Sequence, residues 1–169
     1  MKKIFLPISL IAIFALGGCS ITDQGVSNNI PSNKETMVTE KSVSKGKTIN
    51  LSNQKLTKIV SSVFNQTDAE TLDVSNNLLT GALPGEIRFL KNLKVLKANN
   101  NSMTGVPAEI GQLNKLEVLD LSNNQLTGLP NELANLKNLK TMDLSGNNYS
   151  QQDLEYIKQR LPNTNFIVK

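Results

Sequence analysis

The chain has 169 residues, 18 Lys+Arg against 14 Asp+Glu, no His and a single Cys. That length holds one domain with accessory segments, and the composition excludes imidazole acid–base chemistry, a Cys/His zinc site and any internal disulfide. The net charge of +4, which falls to +2 if Lys2 and Lys3 are removed, is too balanced to suggest a nucleic-acid face.

Residues 1–18 read as an export signal. Lys2 and Lys3 precede a run of thirteen mainly apolar residues from Ile4 to Leu16. This is shorter than the about 20 residues needed to span a bilayer, but it suits the central region of a cleaved signal. The sequence Leu16-Gly17-Gly18-Cys19 that follows resembles the lipobox of bacterial lipoproteins. The resemblance implies cleavage before Cys19, a diacylglycerol on its thiol and an acylated amino terminus, and two or three acyl chains anchor stably where one does not. It therefore implies an exported protein of the bacterial cell envelope, held to a membrane by lipid. Ser20 does not match the aspartate associated with inner-membrane retention, which permits an outer-membrane site. The plainer alternative, an ordinary signal peptide, leaves the lone thiol without a purpose.

Residues 19–45 form the next segment: the lipidated cysteine and then a stretch rich in Ser, Thr, Asn and Lys, with Pro31 as its one proline. Such a composition cannot bury enough apolar surface to offset its ordering entropy, and as a flexible tether it reaches about 25–30 Å.

Residues 46–148 repeat. LKVLKANNNSMTGVP at 93–107 aligns with LEVLDLSNNQLTGLP at 116–130, and Asn77, Asn101, Asn124 and Asn147 are spaced by 24, 23 and 23 residues. The pattern resembles the leucine-rich repeat, L-x-x-L-x-L-x-x-N-x-L, in about five copies. The resemblance implies an α/β fold, a leucine-rich repeat solenoid. Its concave face carries a short parallel β-sheet and its convex face short helical or 3-10 segments. In Leu119-Asp120-Leu121 the leucines point inward and the aspartate outward, as a strand requires. Asn77, Asn101, Asn124 and Asn147 offer donors and an acceptor to the turn behind each strand and form a structural ladder along the stack. Gln54 holds this slot in the first copy. Gly81, Gly105 and Gly128 are expected to adopt angles other residues resist, and Pro84, Pro107 and Pro130 to open the convex segments. Ala82 is an insertion, to be absorbed by a bulge. Ile87, Leu90, Ile110, Leu113, Leu133 and Leu136 recur three apart and face the core, whereas Phe89 aligns with Gln112 and Asn135 and faces outward.

Residues 149–169 read as a cap. Ser150 and Asp153 form a capping-box-like start, Leu154, Ile157 and Leu161 mark one helical face, Pro162 follows the helix, and Phe166–Val168 adds an edge strand.

Outward strand positions form columns. Lys47, Glu70, Lys94, Glu117 and Lys140 alternate in sign, as a surface charge ladder. Beside them lie Thr71, Val95, Val118 and Thr141, then Asp73, Lys97, Asp120 and Asp143, and these eight form the candidate partner-binding concave face. Family resemblance implies that such a strip binds a protein or peptide. The expectation is a membrane-anchored, non-catalytic, monomeric interaction module with no cofactor, no metal and no nucleic-acid partner. An envelope-structural or adhesive lipoprotein binding cell-wall polymer or a host surface is the alternative. Asp120 and Asp143 as the carboxylate pair of a glycosidase, or as a weak metal site, is a remote one.

Overall fold

A computed structural model describes residues 48–169. The signal segment, Cys19, the tether and Lys47 lie outside the described residues.

Each coil begins with a three-residue strand whose middle side chain is apolar and whose neighbours are polar or β-branched. The strands are β1 (Thr48–Asn50), β2 (Thr71–Asp73), β4 (Val95–Lys97), β6 (Val118–Asp120) and β7 (Thr141–Asp143). They pair in parallel, in chain order, with Thr71 beside Val95, Val95 beside Val118 and Val118 beside Thr141. Ile49, Leu72, Leu96, Leu119 and Met142 thus stack in one fully buried inner row. No coil closes a core by itself, because its leucines are covered only by the coils on either side.

Among the described residues the return path crosses four 3-10 segments: Ser61–Asn65, Gly85–Phe89, Ala108–Gln112 and Asn131–Asn135. The three prolines stand immediately before the last three segments, with φ of −59°, −71° and −68°. Their carbonyls accept the first helical bonds from Ile87, Ile110 and Leu133 at 3.1, 3.2 and 3.1 Å, so the fixed ring angle sets the entry to each turn. Ile87, Leu90, Ile110, Leu113, Leu133 and Leu136 are all fully buried. One contact was not foreseen: a Cβ on Gly111 would overlap the Glu132 carbonyl oxygen and lie 2.7 Å from its carbonyl carbon, so the two coils meet backbone to backbone there.

The glycine expectation needs correction. Of Gly81, Gly105 and Gly128, only Gly81 is left-handed, at φ +69°; Gly105 and Gly128 adopt ordinary angles. The left-handed slot of each turn is instead the residue before the ladder position: Asn53, Asn76, Asn100, Asn123 and Gly146, at 58°, 54°, 54°, 51° and 68°. Asparagine tolerates this region better than other side chains, which explains the paired asparagines. Gly81 is left-handed where Ala82 lengthens the coil, and there β3 (Thr80–Gly81) pairs with β5 (Ser102–Met103) in a second, two-stranded parallel sheet that the repeat pattern does not announce.

The ladder asparagines do not bond to one another. Asn124 Oδ1 accepts from Met103 N–H of the preceding coil at 3.0 Å, while its Nδ2 donates to Ala98 of that coil and to Leu121 of its own, both at 3.0 Å. Asn147 repeats the pattern with Leu126 N–H, Leu121 and Leu144. The Leu121 carbonyl therefore receives both amides, just as Val74 receives Asn77 and Asn101, and Ala98 receives Asn101 and Asn124. Side-chain pairing occurs one position earlier, where Asn100 Nδ2 donates to Asn76 Oδ1 at 2.9 Å.

At the C-terminal end helix α1 (Gln151–Arg160) lays Leu154 and Ile157 over the last coil, and β8 (Asn165–Ile167) extends the sheet, one residue earlier than Phe166–Val168. Ser150 Oγ accepts from Asp153 N–H, but the Asp153 carboxylate does not turn back to complete the box. It accepts from Leu129 N–H at 3.0 Å and ties the helix to the preceding coil. Tyr149 fills the inward slot held elsewhere by Leu56, Leu79, Met103 and Leu126; burial, then the charge of Asp143, push its phenol above the usual range.

Removing a buried inter-coil amide should therefore cost far more than removing an exposed one. Asn124→Ala orphans the buried Met103 N–H and should lower unfolding stability by about 1–3 kcal/mol in chemical denaturation. Asn138→Ala loses only an exposed bond to the Asn114 carbonyl, which water replaces, and should change stability by less than about 0.5 kcal/mol.

Candidate functional site

The strand register brings the eight concave residues into two adjacent columns. Thr71, Val95, Val118 and Thr141 are half-buried and lie side by side across β2, β4, β6 and β7. Asp73, Lys97, Asp120 and Asp143 form the second column, with Lys97 exposed and the three aspartates half-buried.

The aspartates are held by the turn that follows their strand. Asp120 Oδ1 accepts from Ser122 N–H at 3.1 Å and from Ser122 O–H at 2.7 Å. Asp73 with Ser75, and Asp143 with Ser145, make the same pair of bonds. Asn50 does so with Ser52, showing that the amide oxygen serves as well as the carboxylate. Among the described residues no hydrogen-bond donor reaches the second carboxylate oxygen, which is held in position with little side-chain freedom to lose. Asp120 and Asp143 are register partners. The same aspartate–serine turn recurs at Asp73, whose neighbour is Lys97, so the motif serves the turn whether or not a second carboxylate adjoins it. Among the described residues there is no group of three or more His, Cys, Asp or Glu placed to hold a metal.

Among the described residues, two ion pairs form in the charge column at the strand entrance. Glu70 meets Lys94 at 3.3 Å and Glu117 meets Lys140 at 2.6 Å. The hydrogen bond from Lys140, then its charge, with a smaller contribution from Lys94, hold the Glu117 carboxyl below its ordinary range. On the convex side Phe89 is 45% exposed, with the Arg88 guanidinium 4.6 Å from its ring centre.

Two family comparisons match this part of the chain. The leucine rich repeat family model fits residues 91–148, and a second leucine rich repeat model fits residues 69–90. A leucine-rich repeat protein of Leptospira interrogans is similar at a TM-score of 0.63 and 42% identity over 66% of this chain, which spans 28% of that protein. The ectodomain of the receptor kinase SOBIR1 from Arabidopsis thaliana gives 0.59 and 30% over 71% of this chain and 66% of its own. The plant peptide hormone receptor RGFR1, in complex with RGF2, gives 0.58 and 34% over 72% of this chain and 20% of its own. None of the curated proteins compared with the chain matches it. Residues 48–169 are a leucine-rich repeat solenoid.

The Glu117–Lys140 pair has a pH signature. The folded carboxyl titrates below its unfolded value, so the contribution of the pair is present above the usual carboxylate range and lost as pH falls through the folded value. The Glu117 side-chain carboxyl should titrate below the ordinary glutamate range by NMR and move up towards that range in Lys140→Met. An unchanged midpoint would mean that the pair does not persist in solution.

Proposed function

We propose that the chain is a membrane-anchored, non-catalytic module that docks a protein or peptide on its concave face. The observation that carries this reading is the pair of in-register columns, half-buried and β-branched in one, with turn-held carboxylates in the other. The apolar column supplies contact area, and the fixed acceptors favour a partner presenting backbone N–H groups, lysine or arginine. A related solenoid, RGFR1, has its structure in complex with RGF2, which supports ligand docking by this fold. The eight strip residues include no Trp, Tyr, Phe or Arg, the side chains that dominate most interface energies, so the affinity is modest and electrostatic in character. Cys19, within the lipobox-like Leu16–Cys19, provides the anchor, and residues 19–45 the tether.

Two substitutions separate the docking face from mere folding. In affinity capture from the native organism, Asp120→Lys/Asp143→Lys should lose a partner that wild type retains. Asp120→Asn/Asp143→Asn should keep the turns, as Asn50 does with Ser52, and bind at least about fivefold more weakly. An identical partner set for all three proteins would remove the concave face from the account. Independently, Cys19→Ala should yield an exported protein recovered in the soluble fraction; continued membrane partitioning would refute the anchor.

A further inference from the structure

The inserted Ala82 makes one coil longer than its neighbour on the flank between strand and 3-10 segment. Leu56-Thr57-Lys58-Ile59 in the first coil faces Leu79-Thr80-Gly81-Ala82-Leu83 in the second. The extra residue is accommodated at the left-handed Gly81, and a cavity of about 250 Å³ opens beside it, lined by Thr57, Lys58, Ile59, Leu79, Leu83 and Met103 among others. An apolar cavity of roughly 150 Å³ holds a benzene molecule, so this one admits on the order of ten heavy atoms.

Its walls and rim differ in chemistry. Ile59, Leu79, Leu83 and Met103 are 6%, 3%, 4% and 0% exposed, so the inner wall is part of the packed core and is already in place before any ligand arrives. At the open side lie the exposed Thr57, Lys58 and Thr80. Lys58 is the one charged residue of the lining and forms no ion pair among the described residues.

We propose that this cavity binds a small amphipathic carboxylate. The aliphatic body lies against Ile59, Leu79, Leu83 and Met103, and the carboxylate meets the Lys58 ammonium and accepts from the Thr57 and Thr80 hydroxyls. The site lies off the concave face and does not depend on docking there.

Two methionines provide the readout: Met103 lines the cavity, whereas Met142 is buried in β7. The full chain, labelled with ¹³C-methyl methionine and held in lipid nanodiscs, is titrated with sodium octanoate and, separately, octanol. The Met103 methyl should shift saturably with octanoate while Met142 stays in place. Lys58→Glu should weaken octanoate binding at least tenfold and leave octanol binding unchanged. Deleting Ala82, which restores the shorter coil, should abolish saturation; Ile59→Phe, which fills the cavity without altering the backbone, should do the same and serves if the deletion does not fold. The proposal is overturned by a Met103 signal that does not saturate. It is also overturned by octanoate binding that survives Ile59→Phe, or by octanoate affinity indifferent to Lys58→Glu.

Discussion

The stack depends on one inward-turned asparagine amide, repeated at Asn77, Asn101, Asn124 and Asn147 in four successive coils. A turn that leaves a strand inside the stack carries a carbonyl with no backbone partner: among the described residues no backbone N–H reaches Val74, Ala98 or Leu121 oxygen. Each of these carbonyls is satisfied twice, by the asparagine of its own coil and by that of the next. The same asparagine oxygens accept backbone N–H groups of the preceding coil. A buried polar group without a partner costs far more than a made bond contributes, so these amides set which coil lies against which, while the leucines supply most of the favourable burial.

That division of labour frees the outward positions. Between the inner leucine of a strand and the asparagine of its turn, the outward slots at Asp73, Lys97, Asp120 and Asp143 vary in charge without disturbing the stack. The concave strip is thus a surface on which chemistry can change while architecture does not. The flank behaves differently. There the inserted Ala82 is not absorbed smoothly but leaves space beside Gly81. The concave surface tolerates variation in side chains, and the flank records variation in length.

Much of this was legible in the sequence because the repeat makes each position testify about its equivalents. Four asparagines at near-constant spacing locate the turns, and the leucine alternation locates the strands and the registers that place Thr71 beside Val95. What a single repeat does not encode is its relation to its neighbour. The left-handed slot went to glycines because glycine is the residue most associated with that conformation, yet the structure gives it to Asn76, Asn100 and Asn123, and the doubled asparagine was the available signal. The approach at Gly111, the β3–β5 pairing, the reach of Asp153 to Leu129 and the cavity beside Ala82 all arise between coils, where no local pattern points. The outward columns could be assembled from spacing, but the identity of a partner depends on a second molecule and has no counterpart in this chain.

The shared carbonyl can be tested by a double-mutant cycle in chemical denaturation. Asn124→Ala and Asn147→Ala remove the two donors that converge on the Leu121 carbonyl, so the double variant should be less stable than the sum of the single losses by about 0.5 kcal/mol or more. Asn77→Ala with Asn147→Ala, which share no acceptor, should add within about 0.5 kcal/mol. Additive losses for the adjacent pair would show that the amides act within single coils, and the account of how the stack is held together would fail.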